Sequence, residues 1–111
     1  MIFVTGPLFS GKRQAVMELL GWGEEELKAR AIWDVQELVK ESTELDALVE
    51  KLSAYEVVIA TEVGGGVVPV DRQERDDREA AGRLAVQLAR RADTVIRVFC
   101  GIPTVLKGAL R

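Results

Sequence analysis

The chain has no histidine. That absence excludes histidine-based metal sites, Ser-His-Asp and Cys-His catalysis, and every imidazole general base. Cysteine is nearly absent too: Cys100 stands alone, in a run that reads as a buried strand. One cysteine cannot build a disulfide framework within a chain, which fits a reducing, cytoplasmic setting. Aromatics make up only 5% of the residues. No apolar run approaches the length of a membrane span. The apolar start at Met1 breaks at Gly6 and lacks a basic leader, unlike a secretory signal. Basic character is also missing. A formal charge of −3 and a pI near 5.0 argue against a general nucleic-acid binder. A local phosphate site survives that argument, because it needs only a few well-placed groups.

What remains is a chain of 111 residues with 48% apolar content, enough for one domain spanning 1–111 with a real core. Ile2-Phe3-Val4-Thr5 is short, apolar and β-branched, and reads as a buried strand. Glycine and proline mark 6–12 as a loop. A helix follows from Arg13 to Leu20, with Val16, Leu19 and Leu20 on one face, and Gly21-Trp22-Gly23 ends it. Glu24 to Arg30 forms a further helical turn or two. Ala31 to Val35 reads as a second strand. Ser42 or Thr43 caps a helix running to about Ala54, whose apolar face is Leu45, Leu48, Val49 and Leu52. Val57 to Ala60 is a buried parallel strand. Arg72 to Arg91 is a long charged helix with apolar positions at Ala81, Leu84, Leu88 and Ala92. Thr94 to Cys100 is the last strand, Gly101-Ile102-Pro103 a turn, and the basic tail to Arg111 loose. Strands alternating with helices point to an α/β fold with a mostly parallel sheet of about four strands.

Gly6-Pro7-Leu8-Phe9-Ser10-Gly11-Lys12 fits the glycine-rich phosphate-loop pattern through its lysine. Glycines let backbone N–H groups turn inward without a Cβ clash. Those dipoles and the helix start that follows make an anion nest, and Lys12 adds an ammonium for the phosphates. The next position of the pattern is a hydroxyl that binds Mg²⁺; here it is Arg13, which cannot ligate a metal and repels one. The other reading of the loop is a strand-to-helix turn without a ligand.

Thr61-Glu62-Val63-Gly64-Gly65-Gly66-Val67-Val68-Pro69 follows a buried strand directly. Ligands of open α/β sheets sit beyond the carboxyl ends of strands, so Glu62 and these glycines share a rim with the phosphate loop. Glu62 either ligates a metal or accepts a hydroxyl proton, or is a cap or solvated charge. Trp22 and Trp33 read as core or interface residues before base-stacking ones. The charged run from Asp71 to Glu79 reads as a solvated helix face whose arginines can reach phosphate.

The glutamate-valine-glycine block, Pro69, Arg72, Arg75, Arg78, Gly82 and Arg83 resemble the C-terminal half of the adenosylcobinamide kinase / adenosylcobinamide-phosphate guanylyltransferase family. The resemblance continues through Ala92-Asp93 to Gly101-Ile102-Pro103 and Lys107, and includes Met1 to Lys12. It implies a RecA-like P-loop fold, a trimer, and a role late in cobalamin synthesis. Such proteins phosphorylate adenosylcobinamide with ATP or GTP, then transfer GMP through a guanylylated histidine. By resemblance, Gly6, Gly11 and Lys12 hold nucleotide phosphates; Glu62, Gly64, Gly65 and Gly66 line the rim. Arg72 and Arg78 stand at the long helix's start, near the site or a subunit contact. The chain departs from the family in lacking histidine, in Arg13, and in a stretch shortened between Gly21 and Ser42, where Asp34, at the end of a candidate strand, is either the remnant of the family's second acidic site position or a surface aspartate. It has Glu79 for the family's aspartate and Ala85 for its asparagine. The implied function is a nucleotide-binding, kinase-like protein without the guanylyl step, or a non-catalytic subunit of that family.

Overall fold

A computed structural model describes residues 1–41, 44–63 and 71–109. Its sheet has five strands: β1 (Ile2–Gly6), β2 (Ala31–Ile32), β3 (Val57–Thr61), β4 (Thr94–Phe99) and β5 (Ile102–Lys107). Their order across the sheet is β2-β3-β1-β4-β5. β1 lies at the centre, parallel to β3 on one side and to β4 on the other, and β2 runs parallel to β3. The central strands read as near-continuous apolar runs because both faces are covered.

Side chains alternate between two cores. Phe3, Val58, Ala60 and Val95 face one way, onto α3 (Leu45–Leu52), α4 (Arg72–Arg91) and a 3-10 turn at Val35–Lys40. Val4, Val57, Ile59, Ile96 and Val98 face the other way, onto α1 (Lys12–Leu20) and α2 (Glu24–Arg30). The helical spacing anticipated for α4 is what packs: Ala81, Leu84 and Leu88 are buried, with Ala92 just past the helix end. In α1 the buried stripe is Ala15 and Val16, while Leu19 is 40% exposed, so the apolar face lies one position earlier than its sequence suggests.

Four boundaries differ from the sequence reading. The stretch from Ala31 is a strand for only two residues. Asp34 then takes a left-handed conformation (φ 56) and turns the chain into the 3-10 segment. The α3 helix starts after Glu44 and ends at Leu52; Ser42 and Thr43, the anticipated caps, lie outside the described residues. Cys100 is an exposed turn residue rather than a buried strand member.

The largest correction concerns Ile102–Lys107, which form a strand and not a turn and the start of a loose tail. Cys100 (φ 52) and Gly101 (φ 74) are both left-handed, as a two-residue hairpin turn demands, so β5 returns antiparallel against β4. Pro103 is tolerated because β5 is an edge strand. Lys107 fixes the strand by donating to the carbonyls of Ala89 and Arg90 at the α4 C-terminus, both at 3.0 Å.

Leu88 is fully buried between α4 and the sheet. Its replacement by alanine should lower the unfolding free energy by about 2–5 kcal/mol in denaturant titration, with an unchanged m-value.

Candidate functional site

β1 ends at Gly6, the chain crosses the carboxyl rim of the sheet in residues 7–11, and α1 begins at Lys12. Gly6 is forced by space. A Cβ there would lie 2.2 Å from the Val98 carbonyl oxygen and 2.9 Å from Ser10 Oγ. Gly11, at φ 83, supplies the left-handed residue that starts the helix. The loop is tied on both flanks. The Glu62 N–H donates to the Gly6 carbonyl (2.9 Å), and the Gly101 N–H donates to the Ser10 carbonyl (2.8 Å). Leu8 and Phe9 are left outside, Phe9 at 94% exposure and φ 58. Ser10 is buried, and among the described residues its hydroxyl has no hydrogen-bond partner.

Lys12 is buried within this loop, with Nζ donating to the Pro7 carbonyl at 2.7 Å. Burial pushes its ammonium below the ordinary lysine value; Asp34 and Glu62 pull it back up, and Arg13 adds to the lowering. The loop borders a cleft of about 670 Å³, lined among others by Ser10, Gly11, Lys12, Arg13, Trp33 and Asp34. The guanidinium of Arg13 lies over the Trp33 ring, 5.4 Å from its centroid. The cleft lining thus carries three cations, Lys12, Arg13 and Lys28, and two carboxylates, Glu24 and Asp34. Such an arrangement suits a polyanion with a flat substituent, and the volume suits a nucleotide-sized ligand.

Glu62 stands across the rim, on the α4 side of the sheet. Both carboxylate oxygens are engaged by Arg97 of β4, from Nε at 2.7 Å and Nη2 at 2.9 Å. The bidentate bond holds the Glu62 carboxyl below the usual glutamate value and raises Arg97 in turn. Glu62 borders a smaller depression of about 120 Å³ with Thr5, Gln36 and Gly82. Gln36 reaches in from the 3-10 turn and accepts from the Thr61 N–H at 2.9 Å, fixing the end of β3.

These donors do not fit a Mg²⁺ ion. The residue after Lys12 is a guanidinium, the Glu62 oxygens are held by Arg97, and the cleft wall offers only two carboxylates, Asp34 and Glu24 of α2, beside three cations. Among the described residues, no three His, Cys, Asp or Glu side chains gather.

Of the residues singled out in the sequence, the fold brings Leu8 to Arg13 and Asp34 around one cleft, with Gly6 and Pro7 behind it in the loop and Glu62 on the neighbouring rim. Gly64, Gly65 and Gly66 lie outside the described residues. Arg72 and Arg78 occupy the first two turns of α4, and neither lines the cleft or the smaller depression. Sequence reasoning missed Arg97, Gln36 and the brace at Gly101. Arg97 did carry a signal: it is the one charge inside the apolar run Thr94 to Phe99. Nothing in the sequence marks Gln36.

Fold and site define an α/β protein whose glycine-rich strand-to-helix loop encloses a lysine at the carboxyl rim of a mostly parallel sheet. Residues 15–106 match the family described as cobinamide kinase / cobinamide phosphate guanyltransferase, and the chain belongs to that family. It is 37% identical over 79 residues to the bifunctional adenosylcobalamin biosynthesis protein CobU of Escherichia coli strain K12. That match covers 68% of this chain and 44% of the relative. The protein of the same name from Salmonella typhimurium strain LT2 is 40% identical over 63 residues, covering 57% of this chain and 35% of the relative. The matched stretches thus span less than half of either relative. The family match begins at Ala15, so the loop at 6–12 rests on its own geometry.

Two outcomes test this construction. Gly6→Ala should destabilise the fold by more than about 2 kcal/mol, because the Val98 carbonyl is backbone and cannot step aside. Stability should also show an acid dependence owed to Arg97. Glu62's folded pKa is depressed, so the pair's contribution is complete above the ordinary value of 4.5 and is lost as pH falls through the lowered one. The gap in melting temperature between wild type and Arg97→Met should therefore narrow below about pH 4.5. A gap that widens in acid would contradict the pairing.

Proposed function

We propose that the chain binds the phosphates of ATP or GTP at Gly6–Lys12 in the manner of a P-loop protein. We further propose that it serves cobalamin biosynthesis as an adenosylcobinamide kinase-like member of its family, without the guanylyltransferase step. The observation that carries the reading is Lys12, buried in the loop at the edge of a nucleotide-sized cleft. Pro7, Leu8, Phe9, Ser10 and Gly11 supply the backbone that wraps the phosphates, with Gly6 allowing the close turn. Lys12 offsets charge that develops on the transferred phosphoryl group. Asp34, on the same wall, orients the attacking hydroxyl of a corrinoid substrate. Glu62, Gly64, Gly65 and Gly66 complete the rim, and Arg72 and Arg78, at the start of α4 and outside the cleft lining, serve phosphate near the rim or a subunit contact. The guanylyl step fails for a chemical reason: these 111 residues hold no imidazole to carry GMP covalently.

A second reading is favoured by the bidentate pair between Glu62 and Arg97, which occupies the carboxylate a metal-dependent kinase would use. In it, the chain is a non-catalytic nucleotide-binding or scaffold subunit of the same family. Either reading places it in the cytoplasm as a homo-oligomer, by resemblance a trimer. No helix of the described residues is long and apolar enough to cross a membrane.

Calorimetric titration with ATP and GTP tests the shared part. Binding should be saturable and weakened at least about tenfold by Lys12→Ala, the loss expected for one charge-assisted contact. Phosphoryl transfer to adenosylcobinamide separates the two readings: turnover supports the kinase, and binding without turnover supports the subunit. Incubation with labelled GTP should leave no covalent label on the protein, and a labelled protein would overturn loss of the guanylyl step.

A further inference from the structure

Resting on the nucleotide-binding reading above, we infer that this site takes the free, metal-less polyphosphate of its nucleotide, with Arg13 supplying the positive charge that a divalent cation would supply. Four observations converge. Arg13 is the second residue of α1, directly after the lysine, where the sequence pattern calls for a metal-binding hydroxyl. Its side chain lines the same cleft as Lys12. It is exposed and stacked on Trp33, so its five N–H donors are aimed by the ring's plane and not tied up in an ion pair in the structure described. The carboxylate best placed across the rim, Glu62, spends both oxygens on Arg97.

The electrostatics follow from these placements. A metal bound to a nucleotide would enter a cleft lined by three cations, Lys12, Arg13 and Lys28, against two carboxylates, Asp34 and Glu24. Like charges in a cleft repel, and the repulsion is less screened there than in bulk water. A bare triphosphate meets the opposite situation. It gains a point-charge contact from Lys12 and a planar, bidentate contact from Arg13. Arginine is suited to that role because it is always charged and because its fork matches two phosphate oxygens at once. Pairing with Arg97 also offsets the Glu62 charge on the neighbouring rim. Magnesium in solution then competes with the protein for the nucleotide instead of joining it in the site.

The test is calorimetric titration of the whole chain with ATP and with GTP, once in EDTA and once in excess Mg²⁺. The inference expects binding in EDTA at least as tight as in Mg²⁺. It expects Arg13→Ser to weaken binding in EDTA by about tenfold, and Arg13→Lys, which keeps the charge but not the fork, to weaken it by less. Arg13 is exposed on α1, and a thermal melt of each variant confirms that the fold is kept. Binding that appears only with Mg²⁺ overturns this inference while leaving the nucleotide site intact, as does Mg²⁺-strengthened binding that Asp34→Asn abolishes. Equal affinity of Arg13→Ser and wild type in EDTA also overturns it. Absence of binding in both buffers overturns the nucleotide reading itself, and this inference with it.

Discussion

The structure depends on one close approach: the Cα of Gly6 against the Val98 carbonyl. No side chain fits between them, and that contact lets the central strand run straight into a loop that folds back over its neighbours. The loop is then held from both sides, by a backbone bond from the end of β3 at Glu62 and another from the β4–β5 turn at Gly101. Three strands and a hairpin turn therefore meet at the loop. An anion nest needs its N–H groups fixed before the anion arrives, and the two bracing bonds use the Gly6 and Ser10 carbonyls and no N–H of the loop.

The charges of the rim are arranged around that frame in two separate sets. On the α1 side, Lys12, Arg13 and Asp34 border an open cleft. On the α4 side, Glu62 and Arg97 neutralise each other in a bidentate pair. The sheet separates the sets because successive side chains of a strand point to opposite faces. Burial of Lys12 lowers its proton affinity, yet the carboxylates of Asp34 and Glu62 oppose that shift. The lysine thus keeps acidic neighbours on both faces of the rim while its Nζ rests on its own loop.

Much of the fold was legible because its signals are local. Two apolar β-branched runs at Ile2–Thr5 and Val57–Ala60, and the spacing of Ala81, Leu84 and Leu88, are patterns that only a covered sheet and a one-sided helix satisfy. The glycines and lysine of 6–12 announced the loop. Other features were hidden because their causes are tertiary. β5 is exposed along its whole length and contains a proline, so its sequence carries no strand signal. It forms because Cys100 and Gly101 adopt a hairpin turn and because Lys107 reaches the carbonyls ending α4. The pairing of Glu62 with Arg97 joins residues 35 positions apart, which no local pattern encodes. Asp34 reached the cleft wall through a left-handed turn that its sequence does not announce.

Family membership and the loop are independent supports, since the family match starts at Ala15, beyond the loop. The central claim is that the braced loop receives phosphate, and amide hydrogen exchange tests it most directly. Peptides spanning residues 7–13 should exchange more slowly when ATP or GTP is added at saturating concentration, in Lys12-dependent fashion, while peptides from β5 stay unchanged. Unaltered exchange across 7–13 with nucleotide bound elsewhere on the protein would contradict the account.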